Sequence, residues 1–233
     1  MAEYPKIQTL FKRDEKNIII PSMFTLDEFD YLKDCKWECT EKIDGTNIRI
    51  ELTPKQLEFK GRTDRADIPK HLLERLKSIF DKDTLSEYFF KDKEPCNITI
   101  YGEGYGTKIQ KGGNYIKDGV DFILFDVKVG KWWLSREACE QVAKDLGLKI
   151  VPLMGYMTIQ EACDFVKKGF KSTIAENKDY DAEGLVLKTP NGLLFRNGER
   201  IITKIKTVDF RKYANVYGNG QVEQKINPKY GEN

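Results

Sequence analysis

The chain has a single histidine, His71. A Ser–His–Asp triad or a multi-histidine metal site is therefore excluded unless His71 is its centre. His71 falls inside a helix-like stretch and reads as an incidental polar position. Cysteine is also scarce. Five are present (Cys35, Cys39, Cys96, Cys139, Cys163), an odd number without the spacing of a disulfide framework. Cys35 and Cys39 lie four apart, but no second pair or nearby histidine completes a zinc set, so the five read as reduced thiols, partly in the core. No apolar run approaches membrane-spanning length, and the longest, near Ile18–Pro21, is strand-sized. The first residues lack the basic-then-apolar pattern of a secretory signal, so the sequon Asn97-Ile98-Thr99 carries no meaning. These absences predict a cytoplasmic chain with no membrane attachment, a monomer by default. Charge of one sign is missing too: 39 basic residues against 37 acidic leave +2, which excludes a polycation that coats nucleic acid indiscriminately.

What is present fits a folded protein of 233 residues, 40% hydrophobic and 33% charged, large enough for a core without staples. Helices are few. Thr25-Leu-Asp-Glu28 and Thr158-Ile-Gln-Glu161 have the form of capping boxes. Pro69–Lys82 carries Leu72, Leu73, Leu76, Ile79 and Phe80 at helical spacing, and Ser135 caps a helix running to Gly147. The remainder predicts strands at Trp37–Ile43, Asn47–Leu52, Leu57–Lys60, Asn97–Tyr101, Asp121–Val129, Gly184–Lys188, Leu193–Phe195 and Arg200–Ile205. Many strands and few long helices predict an α+β fold with mainly antiparallel sheets. From Tyr213 the chain turns polar and is expected to be loosely held.

The segment Glu41-Lys42-Ile43-Asp44-Gly45-Thr46-Asn47 lies between two predicted strands. A lysine at a strand end, followed by Asp-Gly, can project while the turn bends away. That placement suits a nucleophile, provided burial or neighbouring cations lower the amine's pKa. The same residues also fit a plain hairpin, because Asp-Gly is a common tight-turn pair. Lys204 and Lys206 alternate along a strand, so both side chains point to one face. The glycine-rich stretch Gly102–Gly113 fits no phosphate-loop frame, and its glycines read as permitting tight turns and close backbone approach.

Six segments in order resemble the motifs of the covalent nucleotidyltransferases, the superfamily of ATP-dependent ligases and capping enzymes. They are Lys42-Ile43-Asp44-Gly45, Phe59-Lys-Gly-Arg62-Thr-Asp, Tyr101-Gly-Glu103-Gly, Phe122-Ile-Leu-Phe125-Asp126, Glu183-Gly184-Leu185-Val186 and Lys204-Ile205-Lys206. The resemblance covers about Glu41 to Phe210. It implies an adenylation-domain fold around an ATP cleft, with Lys42 attacking the α-phosphate to form lysyl-AMP. It further implies that Arg62 contacts the nucleotide sugar and later the RNA end, that Glu103 holds the ribose, and that Phe125 stacks on adenine. Glu183 falls near the metal and the α-phosphate, while Lys204 and Lys206 hold phosphates. Glu41, Asp44 and Asn47 are placed at the nucleotide by the same motif. Glu183 and Glu103 offer hard oxygens suited to Mg²⁺ or Mn²⁺.

Lys-x-Asp-Gly-Thr-Asn, Tyr-Gly-Glu-Gly followed by Gly106-Thr-Lys-Ile-Gln110-Lys111, and the Phe-x-x-Phe-Asp strand are most similar to phage-type RNA ligases that seal nicks in double-stranded RNA. The opening Tyr4-Pro-Lys-Ile-Gln-Thr-Leu-Phe-Lys-Arg13-Asp looks like the leader of small phage-encoded RNA ligases. If phage-encoded, the protein would act in the host cytoplasm on RNA 3′-hydroxyl and 5′-phosphate ends. The expected organisation is one nucleotidyltransferase domain over residues 1–233, with a leader (1–36), a catalytic core (37–210) and a polar tail (211–233). The 27 residues after Lys206 leave no room for an oligonucleotide-binding barrel. Two other readings keep the fold or drop the chemistry: a minimal DNA ligase or GTP-using capping-type enzyme, and a non-catalytic RNA-end-binding protein. Basic residues concentrate in two places. Arg200 to Asn233 carries seven basic against three acidic residues, and Lys108, Lys111 and Lys117 are interleaved with Tyr105 and Tyr115. Both segments are expected to track RNA phosphates.

Overall fold

Strands dominate, as the sequence predicts, and every strand pairing among the described residues is antiparallel except two. The computed structural model describes residues 3–91, 93–110 and 114–218. In chain order the strands are β1 (Gln8–Thr9), β2 (Phe11–Arg13), β3 (Ile19–Phe24), β4 (Trp37–Glu41), β5 (Thr46–Leu52), β6 (Leu57–Lys60), β7 (Ile98–Gly106), β8 (Val120–Val129), β9 (Trp132–Trp133), β10 (Lys149–Ile150), β11 (Leu153–Met157), β12 (Gly184–Lys188) and β13 (Ile202–Lys206). The helices are α1 (Asp27–Tyr31), α2 (Lys70–Ile79), α3 (Lys82–Phe90), α4 (Arg136–Asp145), α5 (Ile159–Lys168) and α6 (Thr207–Tyr217). The described residues divide into two units: unit one holds residues 3–5, 43–151 and 174–180, and unit two holds 6–42, 152–173 and 181–218.

Unit one is built on a six-stranded sheet in the order β10-β8-β7-β5-β6, with β9 on β8. Alternation along each strand sorts its residues between two faces. Ile48, Ile50 and Leu52 of β5, Ile98 and Ile100 of β7, and Phe122 and Leu124 of β8 join Leu72 and Leu76 of α2, Leu85 of α3 and Val142 of α4 in one buried core. The intervening positions Asn47, Arg49, Glu51, Thr99, Tyr101 and Glu103 form a polar face. A bulge interrupts β8: Tyr101 pairs with Asp126 and Gly102 with Leu124, leaving Phe125 as the extra residue.

Unit two carries a five-stranded sheet in the order β1-β13-β12-β4-β11 and the β2–β3 hairpin. One sheet face, with Trp37, Cys39, Leu185, Leu187 and Ile205, packs against Ile159, Ala162, Cys163 and Val166 of α5 and Phe210 of α6. Burial pushes the Cys39 thiol up to about 12 and the Cys163 thiol up as well, so both behave as inert packing groups.

Local chemistry accounts for most element ends. Ser135 accepts from the Ala138 N–H at the start of α4, and Thr158 and Glu161 form the expected capping box on α5, a feature that stabilises a helix by about 1 kcal/mol. Four expectations are corrected. Thr25 and Glu28 form no capping box: α1 starts after Leu26, and the Thr25 hydroxyl donates instead to the Thr9 carbonyl at 2.6 Å. The helix expected to reach Lys82 stops at Ile79, because Asp81 turns extended and its carboxylate accepts from the Thr84 N–H at 2.8 Å, beginning α3. Leu193–Phe195 forms no strand, only an isolated bridge between Leu194 and Arg200. The tail expected to loosen from Tyr213 is helical through Tyr217 in α6, and its Lys225 and Lys229 lie outside the described residues.

Candidate active site

The Lys42-Ile43-Asp44-Gly45 segment is no hairpin turn. β4 pairs with β11 and β12, whereas β5 pairs with β6 and β7. Lys42 follows the last residue of β4, and its backbone N–H donates to the Gly184 carbonyl at 2.9 Å. Its Nζ lies 2.6 Å from Glu183 Oε2, and Lys206 Nζ lies 2.5 Å from Glu183 Oε1. One carboxylate is thus shared by two amines, all in unit two. The three side chains are 19%, 15% and 30% exposed, so the cluster is sheltered but open to a ligand. Lys204 lies two residues back from Lys206 along β13, while Ile205 between them and Thr203 before Lys204 turn into the fold.

Gly184 makes this geometry possible. Its φ is +150°, and a Cβ there would collide with the Ile205 carbonyl on β13. Backbone bonds fix the residue before it, since the Thr207 N–H donates to the Glu183 carbonyl at 2.9 Å.

Glu41 neighbours Lys42 but faces the other way. Its carboxylate is buried and accepts from the Ser172 hydroxyl, from the Thr173 N–H at 3.0 Å and from the Thr173 hydroxyl at 2.7 Å. Its backbone N–H donates to the Pro152 carbonyl at 2.9 Å. The strand end that presents Lys42 is therefore held by side chain and backbone together. Ser172 and Thr173 went unnoticed in the sequence, where no motif marks them.

The remaining motif residues belong to unit one. The Asp44 backbone N–H donates to the Tyr115 hydroxyl at 3.1 Å. Gly45 lies so close to the Gly104 carbonyl that a Cβ would clash with it. Asn47 of β5 and Glu103 of β7 are directly paired, which brings their side chains to one face. Asn47 Oδ1 is buried without a hydrogen-bond partner, an acceptor suited to a donor on a ligand. Phe125 is half-buried and packs at the margin of the cluster of Ile43, Tyr105, Tyr115 and Ile123. Arg62 is exposed on the loop after β6.

That loop is anchored by residues the sequence did not single out. Arg49 is fully buried: Nε donates to the Gly61 carbonyl at 2.9 Å, Nη1 to Glu51 at 2.9 Å and Nη2 to Asp64 at 2.6 Å. Lys60 reaches the other Glu51 oxygen at 2.8 Å. The Arg49 guanidinium holds the Asp64 carboxyl below its usual range, and Glu51 holds the Lys60 amine above its own.

The expected basic-aromatic RNA surface is only partly present. Lys108 and Lys117 are exposed, but Tyr105 and Tyr115 are buried against each other, ring centroids 5.7 Å apart. They are core aromatics and offer no stacking platform. Lys111 lies outside the described residues. His71 is exposed on α2, away from any role. Among the described residues, no three His, Cys, Asp or Glu side chains gather into a metal-binding group, and no helix is long and apolar enough to cross a membrane.

Residues 36–206 match the sequence profile of a family described as RNA ligase. Among solved structures the chain is similar to Naegleria gruberi RNA ligase in several states. An apo variant aligns at 20% identity and a TM-score of 0.59, over 92% of this chain and 60% of that one. A variant with ATP and Mn aligns at 20% identity and 0.60, over 92% and 60%. A variant with AMP and Mn aligns at 21% identity and 0.60, over 91% and 60%. At this identity the likeness is one of fold, and the chain spans about 60% of the length of those structures. A search of curated proteins finds no match.

Proposed function

The chain belongs to the RNA ligase family, and on that premise we propose that it joins RNA 3′-hydroxyl and 5′-phosphate ends with ATP, carrying AMP on Lys42. The observation that carries this reading is the Lys42–Glu183–Lys206 cluster, a sheltered amine at a strand end with its carboxylate shared by a second amine. Phosphoryl transfer needs an in-line nucleophile and cations for the phosphate charge, and little else from the protein.

Lys42 Nζ attacks the α-phosphorus of ATP. A P–N bond forms as the amine gives up a proton to solvent, the bond to the β-phosphate oxygen breaks, and pyrophosphate leaves. Glu183 orients the attacking amine, while Lys204 and Lys206 take up phosphate charge. The 5′-phosphate of RNA then displaces Lys42 from the adenylate, and a 3′-hydroxyl attacks the activated phosphate, releasing AMP. The nucleoside is assigned to the polar face of unit one, where Glu103 and Asn47 offer polar groups to the sugar, Phe125 offers its ring to adenine and Asp44 completes the motif. Arg62 and Lys108 are assigned to RNA, with Lys111.

We assign a magnesium or manganese ion to the reaction, with Glu183 and Glu103 each offering the hard oxygens that such an ion takes. When bound it offsets the charge of the transferring phosphate. We further read the protein as a phage-type sealer of nicks in duplex RNA, with residues 37–210 as one catalytic core, 1–36 as its leader and 211–233 as a tail.

The test is incubation with α-labelled ATP and Mg²⁺, followed by nicked duplexes. Label on the protein and sealed RNA are expected, with neither in Lys42→Ala. Label from GTP alone, or sealing of DNA nicks only, would move the assignment to a capping-type enzyme or a minimal DNA ligase. No label on protein stripped of bound AMP would favour a non-catalytic binder of RNA ends.

A further inference from the structure

The N-terminal residues Glu3 and Tyr4 belong to unit one, and they touch two of the segments assigned above to the nucleoside and RNA end. Tyr4 is buried, and its hydroxyl donates to Asp126 Oδ2 at 2.6 Å. Its ring meets Phe125 edge-on, with centroids 5.0 Å apart and planes at 72°. Behind it lie Tyr101 at 5.1 Å and Trp133 at 5.8 Å. Glu3 accepts from the backbone N–H of Asp64 at 3.3 Å, in the loop that carries Arg62.

The bulge in β8 explains how one residue reaches both neighbours. In a regular strand Phe125 and Asp126 would face opposite ways; an extra residue re-aims the chain locally. Here Tyr4 contacts the ring of one and the carboxylate of the next. Asp126 is buried, so its oxygen needs a donor, and Tyr4 supplies one from 122 residues away in sequence. The hydroxyl bond sets the tyrosine's depth, and the ring edge then limits the tilt of Phe125.

We propose that Tyr4 is a positioning residue for the Phe125 ring and thereby sets the protein's affinity for the adenine base. The proposal rests on Phe125 being the base-stacking ring of the function given above. It assigns to the start of the leader a task in nucleotide recognition beyond packing.

The experiment measures lysyl-AMP formation at varied ATP concentration for the native chain, Tyr4→Phe and Tyr4→Ala. Equilibrium ATP binding is measured alongside, in a Lys42→Ala background that blocks the covalent step. Losing the edge contact and the hydroxyl bond should raise the ATP KM and Kd by about tenfold in Tyr4→Ala. The limiting rate should stay within about twofold of native, since the phosphate-directed residues are untouched. Tyr4→Phe, which keeps the ring, should recover most of the affinity. Phe125→Leu should abolish the effect, so that Tyr4→Ala adds no further loss in that background. Equal ATP affinity in Tyr4→Ala and the native chain, with only the melting temperature lowered, would overturn the proposal. So would a full tenfold loss persisting without the Phe125 ring. If the native chain forms no lysyl-AMP, the function above fails, and the binding comparison still decides the role of Tyr4.

Discussion

Two ion networks in this protein share one plan and differ in outcome. In each, a glutamate gives one oxygen to each of two cations: Glu183 to Lys42 and Lys206, and Glu51 to Arg49 and Lys60. The centre of the Glu51 network is sealed, with Arg49 and Glu51 at 0% and 1% exposure, and only its outer cation, Lys60, reaches the surface, at 28%. Its central cation is a guanidinium, which stays charged and spreads its donors over Gly61, Glu51 and Asp64 in a fixed plane. The Glu183 network is partly open and uses two amines, which are compact point charges that can lose a proton and form a bond. The same charge count makes a strut in one place and a reactive group in the other. Cation chemistry and access decide which.

The sharpest way to break that contrast is to remove the central cation from each network. Lys42→Ala should abolish lysyl-AMP formation, read by label on the protein, while the melting temperature stays close to native. Lys42→Arg should be equally inactive, because a charged guanidinium cannot act as the nucleophile. Arg49→Met should do the reverse. It leaves Glu51 buried with only Lys60, and removing one partner of a buried pair typically costs about 3–5 kcal/mol. Chemical denaturation should show that loss, and any activity that remains should retain a native ATP KM.

Glu41→Ala has a smaller, mixed effect. It strands the buried Ser172 hydroxyl, at about 1–3 kcal/mol, while the donors of exposed Thr173 can turn to water. Because Glu41 also holds the strand end carrying Lys42, the rate of lysyl-AMP formation should fall as well. A Ser172→Ala, Thr173→Val double variant should reproduce that fall and add little to Glu41→Ala. A fall in stability with an unchanged adenylylation rate would show that the clasp does not reach Lys42.

The smallest effect concerns pH. The Asp64 carboxyl is held below its usual range, first by its hydrogen bond from Arg49. Its contribution is complete above the ordinary carboxylate range and fades as pH falls through the lowered value. The Lys60 amine is held above its usual range, first by its bond to Glu51. Its contribution is complete below the ordinary lysine range and fades as pH rises through the raised value. Unit one's network should therefore be intact across neutral pH and weaken at both extremes. Asp64→Asn should flatten only the acid limb of a stability–pH profile.

The two networks were unequally legible in the sequence. Lys42, Glu183 and Lys206 stand beside glycines or in an alternating strand, within short motifs whose spacing survives in linear order. Arg49 had no such signal. A charged residue in a strand reads as solvent-facing, and only its three partners at Gly61, Glu51 and Asp64 explain its burial. The antiparallel α+β fold, α4 and the capping box of α5 followed from patterns a few residues long. The missed α3 turned on one carboxylate, Asp81, changing the backbone direction. Glu41 was placed at the nucleotide by the Lys42 motif; its carboxylate bonds Ser172 and Thr173, a contact no motif marks, because neighbouring residues on an extended chain point apart. The Tyr4–Asp126 bond joins the two ends of a 122-residue separation and leaves no local trace.

The most direct test of the central claim is the intact mass of the protein after ATP and Mg²⁺, followed by peptide mapping. The protein should first be stripped of any carried AMP with pyrophosphate. The account predicts a gain of one adenylyl group, labile to acid as a phosphoramidate is, located on Lys42. No gain in mass, or an adduct mapped to any other residue, would contradict it.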